Sequence, residues 1–501
     1  MNKQASRVIS LLLMLSLLLS LPLSATEATT APAESEPAVT TPSPPSQTDP
    51  ETSLPPMTKV EAGGVINGRS GEMLYSLNES RKMPPAAAAK LMTALLVIEH
   101  FGQETDTVIE ITADALEGGS GVGANLKEGE RLTVRQLLAC LVVGSANDAA
   151  VVLARTISGS TDAFVARMNE RAAELGMKDT VYRNPTGLHH DAMVTTVKDT
   201  LLLASLLYQR DEFVNLASRE AFEIEQTETN RAHLIHNRNY LVSDELVSDY
   251  YDPNIDGMCY GSTYEAGGVC VASYPTSDTV YLAVVFGGET EKIVTESYET
   301  TDEAGNVIVV PESERYIAHA FHEVRSLLVW AKDSFAYHRI LSTADAVLQI
   351  PVKLGSGRNH IALFPSKEVR LFLPLGTDPT AELTLTPVLS SEELVAPVSA
   401  GTVAGSLTVR YQGQTVATVD LVTRSTVDRS LLDYYAEQVG AFLSSSAFHR
   451  WAAILVAILS AYALCMSVWR HQSRRKAIRR RHNEQLSARR EQEKKELERF
   501  K

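Results

Sequence analysis

A single cation, Lys90, sits in the apolar stretch Ala86-Ala87-Ala88-Ala89-Lys90-Leu91-Met92. Four alanines followed by Leu91, Leu95 and Ile98 at helical spacing predict a helix over 86–100. On such a helix a lysine amine can take the proton of a hydroxyl one turn earlier, the arrangement that activates a serine nucleophile. The position three residues before Lys90 is Ala87, and 86, 88 and 89 are alanines too, so a slip of one residue supplies no hydroxyl. A second group with chemical potential is Ser145-Ala146-Asn147, which falls between helical patterns at 132–141 and 149–156. A third is Cys259-Tyr260-Gly261, just ahead of an apolar run at 267–274. A thiol becomes a nucleophile where a nearby cation lowers its pKa, but a cysteine on a strand is more commonly a small buried hydrophobe. His189-His190 follows Asn184-Pro185 and reads as part of a turn. No His/Cys ligand spacing occurs, so neither a metal nor an organic cofactor is expected.

These groups need a scaffold, and the patterning supplies one. The Asn67-Gly68 pair inside 64–77 predicts a hairpin. Helical patterns recur at 164–175, with Gly176 as the stop, and at 196–208; another is expected at 316–332. Residues 267–274 and 280–286 are rich in Val and aromatics and read as strands. Helices bracketed by strands of one sheet predict an α+β layered domain over 58–338. From 339 to 425, short β-branched runs alternate with Gly, Pro and Ser turns and predict a small all-β domain, a sandwich. A short amphipathic helix and linker occupy 426–448.

Both ends carry membrane signals. Residues 1–25 combine Lys3 and Arg7, a Leu-rich run and the small residues Ser24 and Ala25, the pattern of a secretory signal peptide. Residues 26–57 are rich in Thr, Pro, Ser and Glu and read as a disordered linker. The span expected at 449–469 contains Trp451–Trp469 without a charge, long enough to cross a bilayer, with a Trp at each end. The chain has 501 residues and a formal net charge of −15, unevenly placed. Arg470 to Lys501 holds thirteen Lys/Arg and five Asp/Glu, a net of +8, which leaves −23 for the rest. A basic cytoplasmic tail over 470–501 therefore follows the span, and the acidic body is expected outside the membrane. An acidic body argues against nucleic-acid binding. Four cysteines do not make a disulfide scaffold.

The stretch Met83-Pro84-Pro85-Ala86-Ala87-Ala88-Ala89-Lys90-Leu91-Met92-Thr93 resembles the first-motif segment, Ser-x-x-Lys, of the D-alanyl-D-alanine carboxypeptidases, the low-molecular-weight penicillin-binding proteins. Leu141-Val142-Val143-Gly144-Ser145-Ala146-Asn147-Asp148 resembles their second motif, and Asn184-Pro185-Thr186-Gly187-Leu188-His189 is also typical of the family. Asp256-Gly257-Met258 and Ala266-Gly267-Gly268-Val269 flank the place of the third motif, Lys-Thr-Gly. The resemblance covers about 60–335, and the β domain and terminal anchor match the family's layout.

The resemblance implies a serine-type peptidase of peptidoglycan metabolism. It also exposes two departures: Ala87 occupies the nucleophile's place, and Cys259-Tyr260-Gly261 replaces the substrate-binding cation and hydroxyl. Lys90, Ser145, Asn147 and Gly261 remain. The expectation is a catalytically inactive homologue serving as a cell-wall binding or regulatory protein, its partners peptidoglycan stem peptides or a cell-wall protein. The alternatives are an active carboxypeptidase with an unconventional site and a membrane-tethered spacer. In the family the third motif lies on a hairpin, which with its turn near Tyr264 and Glu265 implies that Cys259 and Cys270 are direct or near cross-strand neighbours, either disulfide-bonded or free.

Overall fold

The computed structural model describes residues 54–498, apart from 56, 245–248, 296, 302–306 and 311–312. The expected signal peptide and nearly all of the expected linker lie outside the described residues. At the centre of the body stands a five-stranded antiparallel sheet in the order β2-β1-β9-β8-β7. Its strands are β1 (Ala62–Asn67), β2 (Met73–Leu77), β7 (Asp256–Thr263), β8 (Gly267–Pro275) and β9 (Val280–Gly288). β1 and β2 form the hairpin expected at Asn67-Gly68.

The sheet is covered on both faces, which explains why β9 reads as an unbroken apolar run. Alternate residues of β9 serve different cores. Leu282, Val284 and Phe286 join the larger one, and Tyr281, Ala283 and Val285 the smaller. The larger core is filled by helices α1 (Ala89–Phe101), α2 (Val134–Val142), α3 (Asn147–Ser158), α4 (Thr161–Glu174), α5 (Val197–Tyr208) and α6 (Asp211–Ala217). The smaller core is covered by α7 (His319–Ser334) through Phe321, Val324, Leu327 and Leu328. Helix starts follow local chemistry. Thr133 and Gln136 make a capping box on α2, and the Ser160 and Thr196 hydroxyls cap α4 and α5.

α7 begins three residues later than the sequence pattern predicts. Tyr316 to Ala318 belong instead to β13 (Ser313–Ala318), which pairs with β10 (Thr290–Thr295) in a two-stranded arm. The arm continues as β11 (Tyr298–Thr301) and β12 (Val307–Val310). Lys292–Glu314 and His319–Glu291 ion pairs, at 2.6 and 2.9 Å, hold its base.

The hairpin of β7 and β8 corrects the expected placing of the cysteines. A bulge between Gly257 and Cys259 shifts the register, so that Cys259 lies opposite Val271 and Tyr260 opposite Cys270. Because side chains alternate, the shift sends the two thiols to opposite faces: Cys259 into the larger core and Cys270 into the smaller. They are not cross-strand neighbours, and both are free. The turn is centred on Glu265, with Thr263 opposite Gly267, half a residue beyond the centre that the sequence suggested.

A third core begins with β14 (Phe335–Leu341), so the expected boundary at 338 falls inside a strand. β14 pairs with β17 (Val369–Pro374), and this ribbon lays Leu341 and Val369 against a six-stranded sheet that includes β20 (Val403–Tyr411) and β21 (Gln414–Thr423). Tyr281 donates to the Phe335 carbonyl at 2.8 Å, and Arg370 pairs with Asp278 at 2.7 Å, tying this domain to the first. α8 (Leu431–Ser444) follows, with no buried residue, and then α9 (Ser446–Glu498). α9 is long and apolar enough to cross a membrane by length and composition.

The smaller core turns on Phe321, which is fully buried and lies 4.1 Å from Tyr260, 4.8 Å from Tyr250 and 5.5 Å from Tyr240, ring centre to ring centre. Phe321→Ala should therefore cost about 3–5 kcal/mol in urea unfolding, whereas Phe321→Leu, which keeps most of the volume, should cost under about 1.5 kcal/mol. Equal losses in the two variants would show that ring stacking rather than volume sets the stability.

Candidate active site

Ala87 lies in a 3-10 turn (Ala86–Ala88) that leads directly into α1. Ala86 is left-handed there, with φ of 43°, a conformation costly for a residue with a β-carbon. Gly187 shows what holds it. A β-carbon on Gly187 would stand 1.8 Å from the Ala86 carbonyl oxygen, so the 184–187 turn packs backbone to backbone on the 3-10 turn. That turn is built by Asn184, whose Oδ1 accepts from Gly187 N at 2.7 Å and from the Thr186 hydroxyl at 2.9 Å. α1 is then stitched to it twice. Lys90 Nζ donates to the Thr186 carbonyl at 2.6 Å, and the Thr93 hydroxyl to the Pro185 carbonyl at 2.7 Å.

The edge strand β7 closes the other side. A β-carbon on Gly261 would meet the Ala87 methyl at 2.8 Å, so strand and turn are already in contact. Cys259 faces the same core as Lys90 and interacts with it electrostatically. Burial pushes the Lys90 amine down to about 8, opposed by the Cys259 thiol. Burial likewise pushes the Cys259 thiol up to about 12, opposed by Lys90. At neutral pH the pair is therefore an ammonium and a neutral thiol, and Cys259 is not poised as a nucleophile.

Tyr260 lies elsewhere. It projects from the opposite face of β7 and packs its ring on Phe321. Tyr260, which stands at the hydroxyl's position in the third motif, thus shares no face with Cys259. Its phenol is pushed up to about 12, burial leading and the Cys270 thiol adding to it.

Ser145 and Asn147 mark the junction of α2 and α3. Ser145 is left-handed, φ 50°, and buried. Asn147 opens α3; its N–H donates to the Val122 carbonyl and its Nδ2 to the Ser120 carbonyl, both at 2.7 Å. Its Oδ1 is buried with no hydrogen-bond partner among the described residues, an orphan acceptor of the kind that calls for a ligand or a water.

Asp148, which sequence reasoning passed over, anchors the adjacent loop by accepting from Ala124 N and Leu126 N, each at 3.0 Å. The available signal was a carboxylate in the first turn of a helix. Glu130 and His233 complete the loop's support. Glu130 Oε1 meets His233 Nε2 at 3.1 Å, and His233 Nδ1 meets the Ala124 carbonyl at 3.1 Å.

Ala87, Lys90, Cys259 and Gly261 thus converge between the 3-10 turn and β7, with Asn147 presenting an unused acceptor at the head of α3. No hydroxyl or thiolate in this group stands where Lys90 could activate it from one helical turn away.

The family model described as D-alanyl-D-alanine carboxypeptidase matches residues 50–290, and the model described as penicillin-binding protein 5, C-terminal domain, matches residues 335–429. The D-alanyl-D-alanine carboxypeptidase DacF of Bacillus subtilis is 27% identical over 358 residues, which cover 70% of this chain and 82% of that protein. DacD of Escherichia coli is 28% identical over 397 residues, covering 76% and 92%. Among solved structures, penicillin binding protein 6B from Escherichia coli superposes with a TM-score of 0.52 at 24% identity, covering 75% of this chain and 99% of that one. Penicillin binding protein 5 from Haemophilus influenzae gives 0.51 at 23% identity, covering 75% and 100%; these two show the shared fold. With both consecutive domains matched in order, the chain belongs to the D-alanyl-D-alanine carboxypeptidase family, the low-molecular-weight penicillin-binding proteins.

Proposed function

We propose that the protein is a catalytically inactive member of this family, membrane-anchored, with its body outside the membrane, that binds peptidoglycan stem peptides without hydrolysing them. The observation that carries the reading is the Ala87 methyl at the nucleophile's position, one helical turn before Lys90 and packed against Gly261. An acyl-enzyme needs an oxygen or sulfur nucleophile at that point, and the nearby Cys259 stays protonated. Cys259 also leaves the strand without the cation that would hold a substrate carboxylate. The orphaned Asn147 Oδ1 favours a retained ligand contact over a mere spacer. Lys90 and Ser145 serve in this reading as parts of the structural cluster around that contact. α9 is the candidate anchor, and the basic residues from Arg470 onward support a cytoplasmic tail.

The purified body should give no covalent adduct with penicillin by intact mass, and should bind muropeptides carrying a D-alanyl-D-alanine end. A stoichiometric penicilloyl adduct would overturn the reading, and absence of any muropeptide binding would leave the spacer. Ala87→Ser alone should release little D-alanine. Each lost charge-assisted hydrogen bond to the substrate carboxylate removes about 1.5–3 kcal/mol, so capture stays roughly one to two orders of magnitude below that of a restored cation. Strong release from the single revertant would show that the third-motif position is dispensable here.

Lys90 provides a test by stability. Its folded pKa of about 8 lies below the ordinary lysine value of 10.5, so the unfolded chain holds the extra proton between those limits. The cost of burial is fully present below pH 8 and fades as pH rises toward 10.5. At about 1.4 kcal/mol per unit this amounts to about 3 kcal/mol, offset by about 1 kcal/mol for the bond to Thr186. Lys90→Met should therefore stabilise the body by about 2 kcal/mol at pH 7, measured by urea unfolding, and the gain should shrink by pH 10. A destabilised Lys90→Met at pH 7 would mean that the ammonium is a net contributor to the fold.

A further inference from the structure

α9 runs without interruption from Ser446 to Glu498. Its uncharged stretch ends at Trp469, and the next twelve residues, Arg470 to Arg481, contain seven Arg/Lys and no Asp/Glu. The first carboxylate after them is Glu484. From there to Lys501 six Arg/Lys meet five Asp/Glu, so the charge of the tail is concentrated in its first three turns.

The angular placing of these cations decides what they suit. At 100° per residue, taking Arg470 as origin, the seven fall at roughly 0°, 20°, 40°, 140°, 180°, 240° and 280°. No sector wider than about 100° is left without one. A helix that lies on a membrane surface gathers its cations on one side of an apolar face; these encircle the axis instead. A ring of cations suits a helix that stands upright and is surrounded by anions on every side.

The axial placing agrees. At 1.5 Å per residue the twelve residues rise about 18 Å beyond Trp469, and Glu484 stands at about 22 Å. One headgroup layer is roughly 5–8 Å thick, and electrostatic reach beyond it is about 8 Å at physiological salt, together roughly 13–16 Å. The cations thus fill the zone in which anionic lipid is felt, and the carboxylates begin outside it.

We infer that Arg470 to Arg481 form a collar that gathers anionic phospholipid headgroups around α9 in the leaflet it leaves. The inference rests on the reading of α9 as a membrane span. The full chain is reconstituted in nanodiscs of phosphatidylcholine with phosphatidylglycerol, and spin-labelled lipids report which headgroup is held at the protein boundary. The expected result is an enrichment of phosphatidylglycerol of at least about threefold at 0.15 M salt, abolished at 1 M salt. It is also abolished when Arg474, Arg475, Lys476, Arg479, Arg480 and Arg481 are all replaced by glutamine. Equal retention of the two lipids, or enrichment that survives the glutamine replacements, overturns the collar. Tight binding of nucleic acid by the tail without lipid enrichment also overturns it. Co-flotation of every version with pure phosphatidylcholine vesicles is measured alongside. Failure to float would sink the membrane-span reading itself, whereas floating without enrichment would sink only the collar.

Discussion

The backbone contact between the 3-10 turn Ala86–Ala88 and Gly187 is the constraint on which the site depends. A carbonyl oxygen sits where any other residue at 187 would carry its β-carbon, and Ala86 accepts a left-handed backbone to allow it. Such strain persists only where surrounding contacts over-determine it. Here they come from Asn184, which ties the turn upon itself, and from Lys90 and Thr93, which sew the turn to α1. Gly261 then seals the other flank. The turn that carries position 87 is therefore held on both flanks, and the side chain it presents is a methyl group.

That retention explains the mixed character of the cleft. Lys90 is buried at a cost, since its amine is driven toward the neutral form. The cost is tolerable because the Thr186 carbonyl accepts a hydrogen bond from it and the two sheet-covering cores supply stability elsewhere. Truncating Lys90 would leave that carbonyl without its partner, which subtracts from the gain of removing a buried charge without cancelling it.

Much of this was legible in the sequence. Helices with strong periodicity and chemical caps, such as those after Thr133, Ser160 and Thr196, fell where the patterns placed them. The motif positions at Ala87, Lys90 and Gly261 do converge. Three features were not legible. The arm of β10 to β13 hides in a polar, weakly alternating stretch, and its last residues look like the start of α7. Asp148 could be noticed as a carboxylate in the first turn of a helix, but its partners, the amides of Ala124 and Leu126, lie more than twenty residues away in sequence. Above all, the bulge before Cys259 adds one residue to one strand. A single added residue exchanges the faces of everything beyond it, and that is why the cysteines part and Tyr260 turns away from Ala87.

The bulge has a consequence for how freely this sequence can change. Cys259 now fills part of the larger core, while Tyr260 covers Phe321 in the smaller one. Placing lysine at 259 would drive a second ammonium into a site already holding Lys90. Placing threonine at 260 would uncover an aromatic cluster on the far side of the sheet. Neighbouring positions of one tripeptide have become tied to different layers of the molecule, and each step back towards Lys-Thr-Gly loosens a separate layer. A change at 259 is felt beside Lys90 and a change at 260 beside Phe321, so two adjacent positions answer to separate packing demands.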